Sequence, residues 1–235
     1  MSDILTGIAS MATRALLINL SEACARAGGA TVRFESAGGV DAARRVREGE
    51  PFDLIVLAAD AIDALAAAGH VVSKSRCALV DSTVAIAIRA GSTTPDISSA
   101  DALRRAVLAA NRIGYSTGPS GTALMRLFAR WGVAEALHDR LVQARPGVPV
   151  ATLLASGEAE VGFQQLSELQ GQDGIVVLGP MPPGIEILTT FVGAIASTST
   201  RGDLARVTLD FMRSPAAAAL KRRHGMAEPR ETTAS

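Results

Sequence analysis

Short apolar runs alternate with amphipathic segments along the first third of the chain. The runs typical of buried strands cover residues 4–9, 31–34 and 53–58. Apolar residues at helical spacing follow each run, and strands that alternate with helices predict a parallel sheet covered on both faces. Ligands bind at the carboxyl ends of the strands in such sheets, so Ser10, a 35–41 loop and a 58–60 turn are expected along one edge.

The alternation resumes in the middle of the chain, after a strand at 80–89 that leads into a new region. The later predicted strands cover residues 112–115, 140–143, 161–163, 175–178 and 187–195. The pattern predicts an α/β protein of two lobes, with lobe 1 formed by 1–82 plus 190–235 and lobe 2 inserted as 83–189. Two hinge crossings would join the lobes, and a ligand cleft is expected between them. Residues 228–235 are predicted to form a flexible tail.

The segment 113–124 carries hydroxyls and glycines where a strand gives way to a helix. The helix is predicted to begin at Ala123, so side-chain oxygens and free backbone N–H groups would converge just before it. The helix dipole adds partial positive charge there, and such a loop can bind an anion without a charged residue. A well-capped helix after a turn is the alternative interpretation. The residues that this segment offers to a ligand are Ser116, Ser120, Gly121 and Thr122.

Composition narrows the classes of function. Hydrophobic residues make up 48% of the 235 positions and aromatic residues only 3%, so the core is expected to consist mainly of Ala, Val, Leu and Ile. The 23 basic and 23 acidic residues balance, which argues against a nucleic-acid-binding protein. Cys24 and Cys77 stand apart and the three histidines have no metal-ligand spacing, so neither a metal site nor a cofactor is expected.

The N-terminus begins at Met1 and lacks the basic and apolar regions of a signal peptide. The chain also has no run of roughly 18 apolar residues that could form a membrane helix. The expected location is the cytoplasm if Met1 is the native start, and the periplasm if a signal peptide has been removed. An ABC permease is expected as a partner only in the second case.

Five stretches together resemble one family. They are Ile-Ala-Ser-Met-Ala at 8–12, Val-Arg-Glu-Gly-Glu-Pro-Phe-Asp at 46–53, Ala-Ala-Asp at 58–60, Ser-Gly-Glu-Ala-Glu-Val-Gly-Phe at 156–163 and Lys-Arg-Arg-His-Gly-Met at 221–226. In their order and spacing, over almost the whole chain, they resemble the molybdate-type periplasmic solute-binding proteins. The resemblance implies the type II periplasmic-binding-protein fold.

The resemblance also implies a ligand site. In that family two hydroxyls of the first lobe, backbone N–H groups of both lobes and a tyrosine of the second lobe hold a tetrahedral oxyanion. Ser10 matches the first hydroxyl and is also expected to cap the helix that follows. The second hydroxyl falls at Gly39–Val40, which has none, and the tyrosine falls at Gln165. The neutral Gln164 and Gln165, with the extra hydroxyls of 113–124, suit a larger, planar anion with several carboxylates.

The enzyme aconitate isomerase is similar to this branch of binding proteins, and it moves a double bond in a small tricarboxylate without a metal or organic cofactor. The resemblance therefore implies a cofactor-free cytosolic isomerase or tautomerase of a small unsaturated polycarboxylate. The alternative is a non-catalytic solute-binding protein of the molybdate or oxyanion ABC-transporter type. A third hypothesis is an intracellular ligand sensor that acts through a partner.

Proton transfer in such an isomerase needs a base and fixed hydrogen-bond donors. Glu35, expected at the carboxyl end of a strand, and Tyr115 are the candidate bases; an exposed carboxylate and a packed aromatic are the respective alternatives. Glu168 could serve instead, although its position is also typical of a helix start. Arg14 and Arg145 could each pair with a ligand carboxylate or lie on the surface. The candidate ligand-binding residues are Ser10, Met11, Gly38, Gly39, Val40, Ser116, Ser120, Gly121, Thr122, Val148, Gln164 and Gln165.

Overall fold

The computed structural model describes residues 4–230. Its strands are β1 Ile4–Ser10, β2 Thr31–Ala37, β3 Leu54–Ala58, β4 Cys77–Arg89, β5 Ile113–Tyr115, β6 Leu141–Gln143, β7 Val161–Gln165, β8 Ile175–Pro180, β9 Leu188–Ile195 and β10 Met226–Ala227. Its α-helices are α1 Arg14–Arg26, α2 Gly39–Arg47, α3 Ala59–Ala67, α4 Ala100–Ala109, α5 Pro119–Arg130, α6 Ala134–Leu137, α7 Val150–Ser156, α8 Leu166–Leu169, α9 Gly202–Arg213 and α10 Ala218–Arg223. Short 3-10 helices cover Met11–Thr13, Ser73–Ser75, His138–Arg140 and Pro215–Ala217.

The chain divides into two compact units. Unit 1 runs up to Ser82 and resumes at Thr189, and unit 2 is Thr83–Leu188.

Three parallel strands form the centre of the sheet in unit 1. β1 lies between β2 and β3, with Ile8 level with Glu35 on one side and with Ile55 on the other. β9 pairs antiparallel with β3, and β10 pairs antiparallel with the first part of β4. The helices α1, α2 and α3 each follow one of the parallel strands, so the predicted alternation of strand and helix is confirmed.

Unit 2 has its own parallel group. β5 lies between β6 and β7, and Tyr115 at the end of β5 is level with Gln143 of β6 and with Phe163 of β7. The second part of β4 pairs antiparallel with both β7 and β8. Each unit is therefore an α/β structure with a mixed sheet, and the predicted fold class is confirmed.

Alternating strand positions bury side chains on both faces of each sheet. In β4, Val84 and Ile86 pack into one cluster, whereas Ala85 and Ala87 pack into a second cluster on the opposite face. Unit 1 also has two clusters, and most of their members are aliphatic. Burial on both faces explains why the strands appear in the sequence as apolar runs without alternation.

One predicted boundary in unit 1 is wrong. β2 continues in parallel register with β1 as far as Ala37, which is level with Ser10. The helix α2 then begins at Gly39, so the predicted 35–41 loop is reduced to Gly38. The backbone hydrogen bonds of the parallel ladder extend the strand over three residues that the polar sequence had placed in a loop.

The last described residues are held by hydrogen bonds. Glu228 accepts one from the Nζ of the buried Lys221 at 3.0 Å, and the backbone N–H of Arg230 donates to Asp81 at 3.0 Å. The remainder of the predicted tail, 231–235, lies outside the described residues. In the described part of the chain, no helix is long and apolar enough to cross a membrane.

Asp53 joins three segments of unit 1. Its buried carboxylate accepts hydrogen bonds from the N–H of Thr6 at 2.9 Å and the hydroxyl of Ser199 at 2.8 Å, and it forms an ion pair with Arg201. Burial by itself would raise the pKa of this carboxyl, but the three donors outweigh it and hold the pKa below its ordinary value. The network therefore stabilises unit 1 when Asp53 is ionised.

The substitution Asp53→Ala is expected to lower the free energy of unfolding by about 2–3 kcal/mol, because it leaves buried donors without an acceptor. Asp63→Ala is the control, since Asp63 pairs with Arg76 at the exposed surface and should cost less than about 1 kcal/mol. Urea denaturation at neutral pH measures both changes. The wild-type advantage should be present above the ordinary pKa of 3.8 and be lost as the pH falls below it. Equal losses in the two variants at neutral pH would contradict this assignment.

Candidate functional site

The carboxyl ends of three parallel strands meet at one edge of unit 2. These ends are Tyr115 of β5, Gln143 of β6 and Gln165 of β7. A helix follows each strand, α5 after β5, α7 after β6 and α8 after β7. Since ligands bind at the carboxyl ends of strands in α/β sheets, this edge is the candidate site of unit 2.

The hydroxyls of Ser116 and Ser120 lie 2.8 Å apart at this edge and form a hydrogen bond. The helix α5 begins at Pro119 and not at Ala123, because proline suits the first helical position and Gly118 serves as the N-cap. The carbonyl of Gly118 accepts the N–H groups of residues 121 and 122, at 3.0 and 3.2 Å. The expectation that these two N–H groups are free is therefore wrong. Each hydroxyl has a single hydrogen, so the serine pair keeps one donor for a ligand.

Gly121 allows the start of α5 to lie against the loop before it. A Cβ at this position would be 1.9 Å from the carbonyl oxygen of Ser116 and 3.2 Å from the ring of Tyr115. A Cβ at Gly118 would meet nothing within 4 Å. Because Gly121 has no side chain, the start of α5 can pack closely against Ser116. Thr122, the next residue of the first turn, is exposed.

Gln164 joins β7 to the two helices beside it. Its side chain is buried, the Oε1 accepts the backbone N–H of Val150 at 2.7 Å, and the Nε2 donates to Oε1 of Glu168 at 2.9 Å. Val150 begins α7 and Glu168 lies in α8. Both ends of its amide are thus engaged within unit 2, and the predicted contact of Gln164 with the ligand stays a prediction.

Glu168 has an unusual environment for a carboxyl group. It is half-buried, and burial raises its pKa to about 7, although the hydrogen bond from Gln164 lowers it in part. The elements packed against α8 are β7 and α7, and neither contains a titratable side chain. Within the described residues 4–230, burial is opposed only by the hydrogen bond from Gln164, and no cation lowers the pKa of Glu168. The spacing of four residues between Gln164 and Glu168 is the signal in the sequence for their contact. The burial of Glu168 cannot be derived from that spacing.

Gln165 and Tyr115 end neighbouring parallel strands. Gln165 is buried and is the residue before α8. Side chains alternate along a strand, so Gln165 lies on the face of Phe163, opposite to Gln164. Tyr115 is half-buried and its carbonyl accepts the N–H of Ala144 at 2.8 Å. Both residues therefore stand at the carboxyl edge of unit 2, and their contact with a ligand stays a prediction.

Glu35 does not have the surroundings expected of a catalytic base. Its side chain is 62% exposed and forms a 2.7 Å ion pair with Arg45, which also pairs with Glu50. It lies two residues before the end of β2, and not in a loop. A carboxylate that is open to solvent and paired with an arginine lacks the shielding expected of a catalytic base, so the alternative interpretation of Glu35 is the one that the structure supports.

Unit 1 has a second candidate edge, where β1 and β2 end. Ser10 is buried at the end of β1, before the 3-10 helix that begins with Met11, and its hydroxyl makes no capping hydrogen bond. The predicted capping role of Ser10 is therefore wrong. Gly38 and Gly39 begin α2 with open space where a Cβ would stand, and the side chain of Val40 is 72% exposed.

The two candidate arginines lie on the surface of their units. Arg14 begins α1 and Arg145 lies in the turn before α7, and both are exposed. The carbonyl of Arg145 accepts the N–H of Val148 at 2.9 Å, so this N–H is paired within the turn, and the ligand contact of Val148 stays a prediction. Among residues 4–230, no group of three His, Cys, Asp or Glu residues could hold a metal ion.

A family model for bacterial extracellular solute-binding proteins matches residues 5–227. The chain belongs to this family. The aconitate isomerase of a Pseudomonas species is 37% identical to this chain over 177 residues, which is 74% of the chain. The chain spans just under two thirds, 66%, of the length of that curated relative.

Solved structures of anion-binding proteins have the same fold as this chain. The periplasmic molybdate-binding protein of Azotobacter vinelandii has a TM-score of 0.80 at 19% identity, over 96% of this chain and 100% of its own. The sulfate-binding protein of Mycobacterium tuberculosis has a TM-score of 0.72 at 19% identity, over 95% of this chain and 86% of its own. The predicted resemblance to molybdate-type binding proteins is confirmed at the level of the fold.

The substitution Gly121→Ala is expected to destabilise the protein by about 2 kcal/mol, because the new Cβ would collide with the Ser116 carbonyl. Gly118→Ala is the control: its φ of −84° suits alanine and its Cβ would be free, so only the poorer N-cap should count, at less than about 1 kcal/mol. Thermal unfolding of the three proteins measures the difference. A Gly121→Ala variant as stable as Gly118→Ala would refute the close contact.

Proposed function

We propose that this protein binds a small, unsaturated polycarboxylate at the carboxyl edge of unit 2 and shifts a double bond in it by proton transfer. The observation that carries the proposal is the 37% identity to an aconitate isomerase. The donors at the edge of unit 2 support it, since they are neutral and distributed: the serine pair, the amide of Gln165 and the phenol of Tyr115. Several carboxylates need several such donors, whereas a compact oxyanion needs fewer.

The proposed reaction needs no net change of atoms or electrons. A base removes a proton from a methylene group that lies between a carboxylate and the double bond. The electron pair of the broken C–H bond delocalises over the allylic system and the carboxylate. The proton returns to the other end of the allylic system and the double bond moves by one position. Hydrogen-bond donors that face the developing negative charge lower the barrier of such a step.

We propose different roles for the other predicted residues. Tyr115 is a second candidate for proton transfer, in addition to an acidic side chain. In unit 1, the edge that contains Ser10, Met11 and Gly38–Val40 is proposed as an anion-binding surface of its own. Arg145 and Arg14 are proposed as partners of a ligand carboxylate, because a guanidinium can hold both oxygens of a carboxylate.

The alternative function is the capture of an oxyanion without catalysis, with an ABC permease as the partner. The observation that favours it is the fold, since similar structures include a molybdate-binding and a sulfate-binding protein. This alternative places the protein outside the cytoplasm, whereas an isomerase could act on either side of the membrane. The two functions differ in ligand and in turnover, and both differences can be measured.

A thermal-shift panel in buffer with a chelator compares tricarballylate, citrate, both aconitate isomers, molybdate, tungstate and sulfate. The tricarboxylates should stabilise the protein, by roughly 2.7 kcal/mol at a hundred times the dissociation constant. The same sample should then interconvert cis- and trans-aconitate, which proton NMR follows directly. Stabilisation by molybdate or sulfate alone, with no change in either aconitate isomer, would support the alternative and end the isomerase proposal.

A further inference from the structure

Glu168 differs from every other carboxyl group of unit 2. The remaining aspartates and glutamates of Thr83–Leu188 are all exposed, whereas Glu168 is half-buried at the carboxyl edge of the unit. It lies three residues after the end of β7, beside the strand that ends with Gln165. This carboxyl group therefore lies at the same carboxyl edge as the proposed ligand site, and it is shielded from water more than any other acid of the unit.

Gln164 fixes the orientation of this carboxyl group. The backbone N–H of Val150 can only donate, so the atom of Gln164 that contacts it at 2.7 Å is the oxygen. The amide NH₂ must then face Glu168, whose Oε1 accepts it at 2.9 Å. One carboxyl oxygen is thus held by a neutral donor, and the orientation of the other is fixed with it.

We propose that Glu168 is the catalytic residue that removes and returns the proton in the isomerisation, and that Gln164 is its positioning residue. The inference rests on the proposed function. The Oε2 of the carboxylate takes the proton as the C–H bond of the substrate breaks, and the electron pair passes into the allylic system. The protonated Glu168 then returns the proton to the other allylic carbon and becomes a carboxylate again. No oxidant, reductant or second proton donor is required.

The surroundings of Glu168 suit both halves of this exchange. A group that gives and takes the same proton works best when its pKa is close to the working pH. Burial raises the pKa of Glu168 to about 7, because β7 and α7 pack against α8 and neither carries a titratable side chain. Glu35 has the opposite surroundings, since it is exposed and paired with Arg45.

The decisive variants are Glu168→Gln and the control Glu158→Gln, which changes an exposed acid of the same unit. Three readouts are compared with wild type: tricarballylate binding by calorimetry, aconitate isomerisation, and deuterium incorporation into aconitate in D₂O. Glu168→Gln should bind tricarballylate within about threefold of wild type and lose about 10²–10⁴-fold in both reactions. Glu158→Gln should match wild type in all three. Isomerisation and exchange at wild-type rates in Glu168→Gln would overturn the inference.

A second variant tests the positioning role and does not depend on the folding of Glu168→Gln. In wild type, kcat/KM should rise with pH through an apparent pKa close to 7, because the base must be ionised. Gln164→Leu removes the donor that favours the carboxylate, so the apparent pKa should move upward. An unchanged pH profile would contradict the role of Gln164. A wild-type protein that binds tricarballylate but neither isomerises nor exchanges aconitate would instead overturn the proposed function, and the inference with it.

Discussion

The parallel pairing of β5 with β6 and β7 is the constraint on which the candidate site depends. Parallel strands must all end at one edge, so Tyr115, Gln143 and Gln165 come together although the chain separates them widely. The same constraint places Ser10 and Ala37 side by side in unit 1.

The buried amide of Gln164 orients the carboxyl group of Glu168 at that edge. It satisfies the first N–H of α7 and the carboxyl group of Glu168 with one neutral side chain. A cation in its place would lower the pKa of Glu168, so the carboxyl group would stay ionised near neutral pH and would hold the transferred proton poorly. The neutral donor leaves the carboxyl group close to balance between its two protonation states, and this property suits a proton carrier for an anionic substrate.

The sequence was sufficient for the order of most strands and helices, because runs such as 54–58 are apolar throughout and end at clear turns, but it did not predict the short β10. The sequence was less reliable for the boundaries of elements, where neighbouring residues favour different structures. Hydroxyls and glycines before Ala123 favoured a loop, but Pro119 already begins the helix. The contact between Gln164 and Val150 depends on the position of α7 beside β7, and the burial of Glu168 depends on the same packing. Neither can be derived from local pattern.

The most direct test of this account is the titration of the Glu168 side chain itself. Carbon-13 NMR of protein labelled at the glutamate side-chain carboxyl, with the Glu168→Gln variant to assign the signal, gives its midpoint without any substrate. The account predicts a midpoint of about 7, since burial without a cation outweighs the hydrogen bond from Gln164. A midpoint at the ordinary value of 4.5 would contradict it, because Glu168 would then be no different from the exposed acids of its unit.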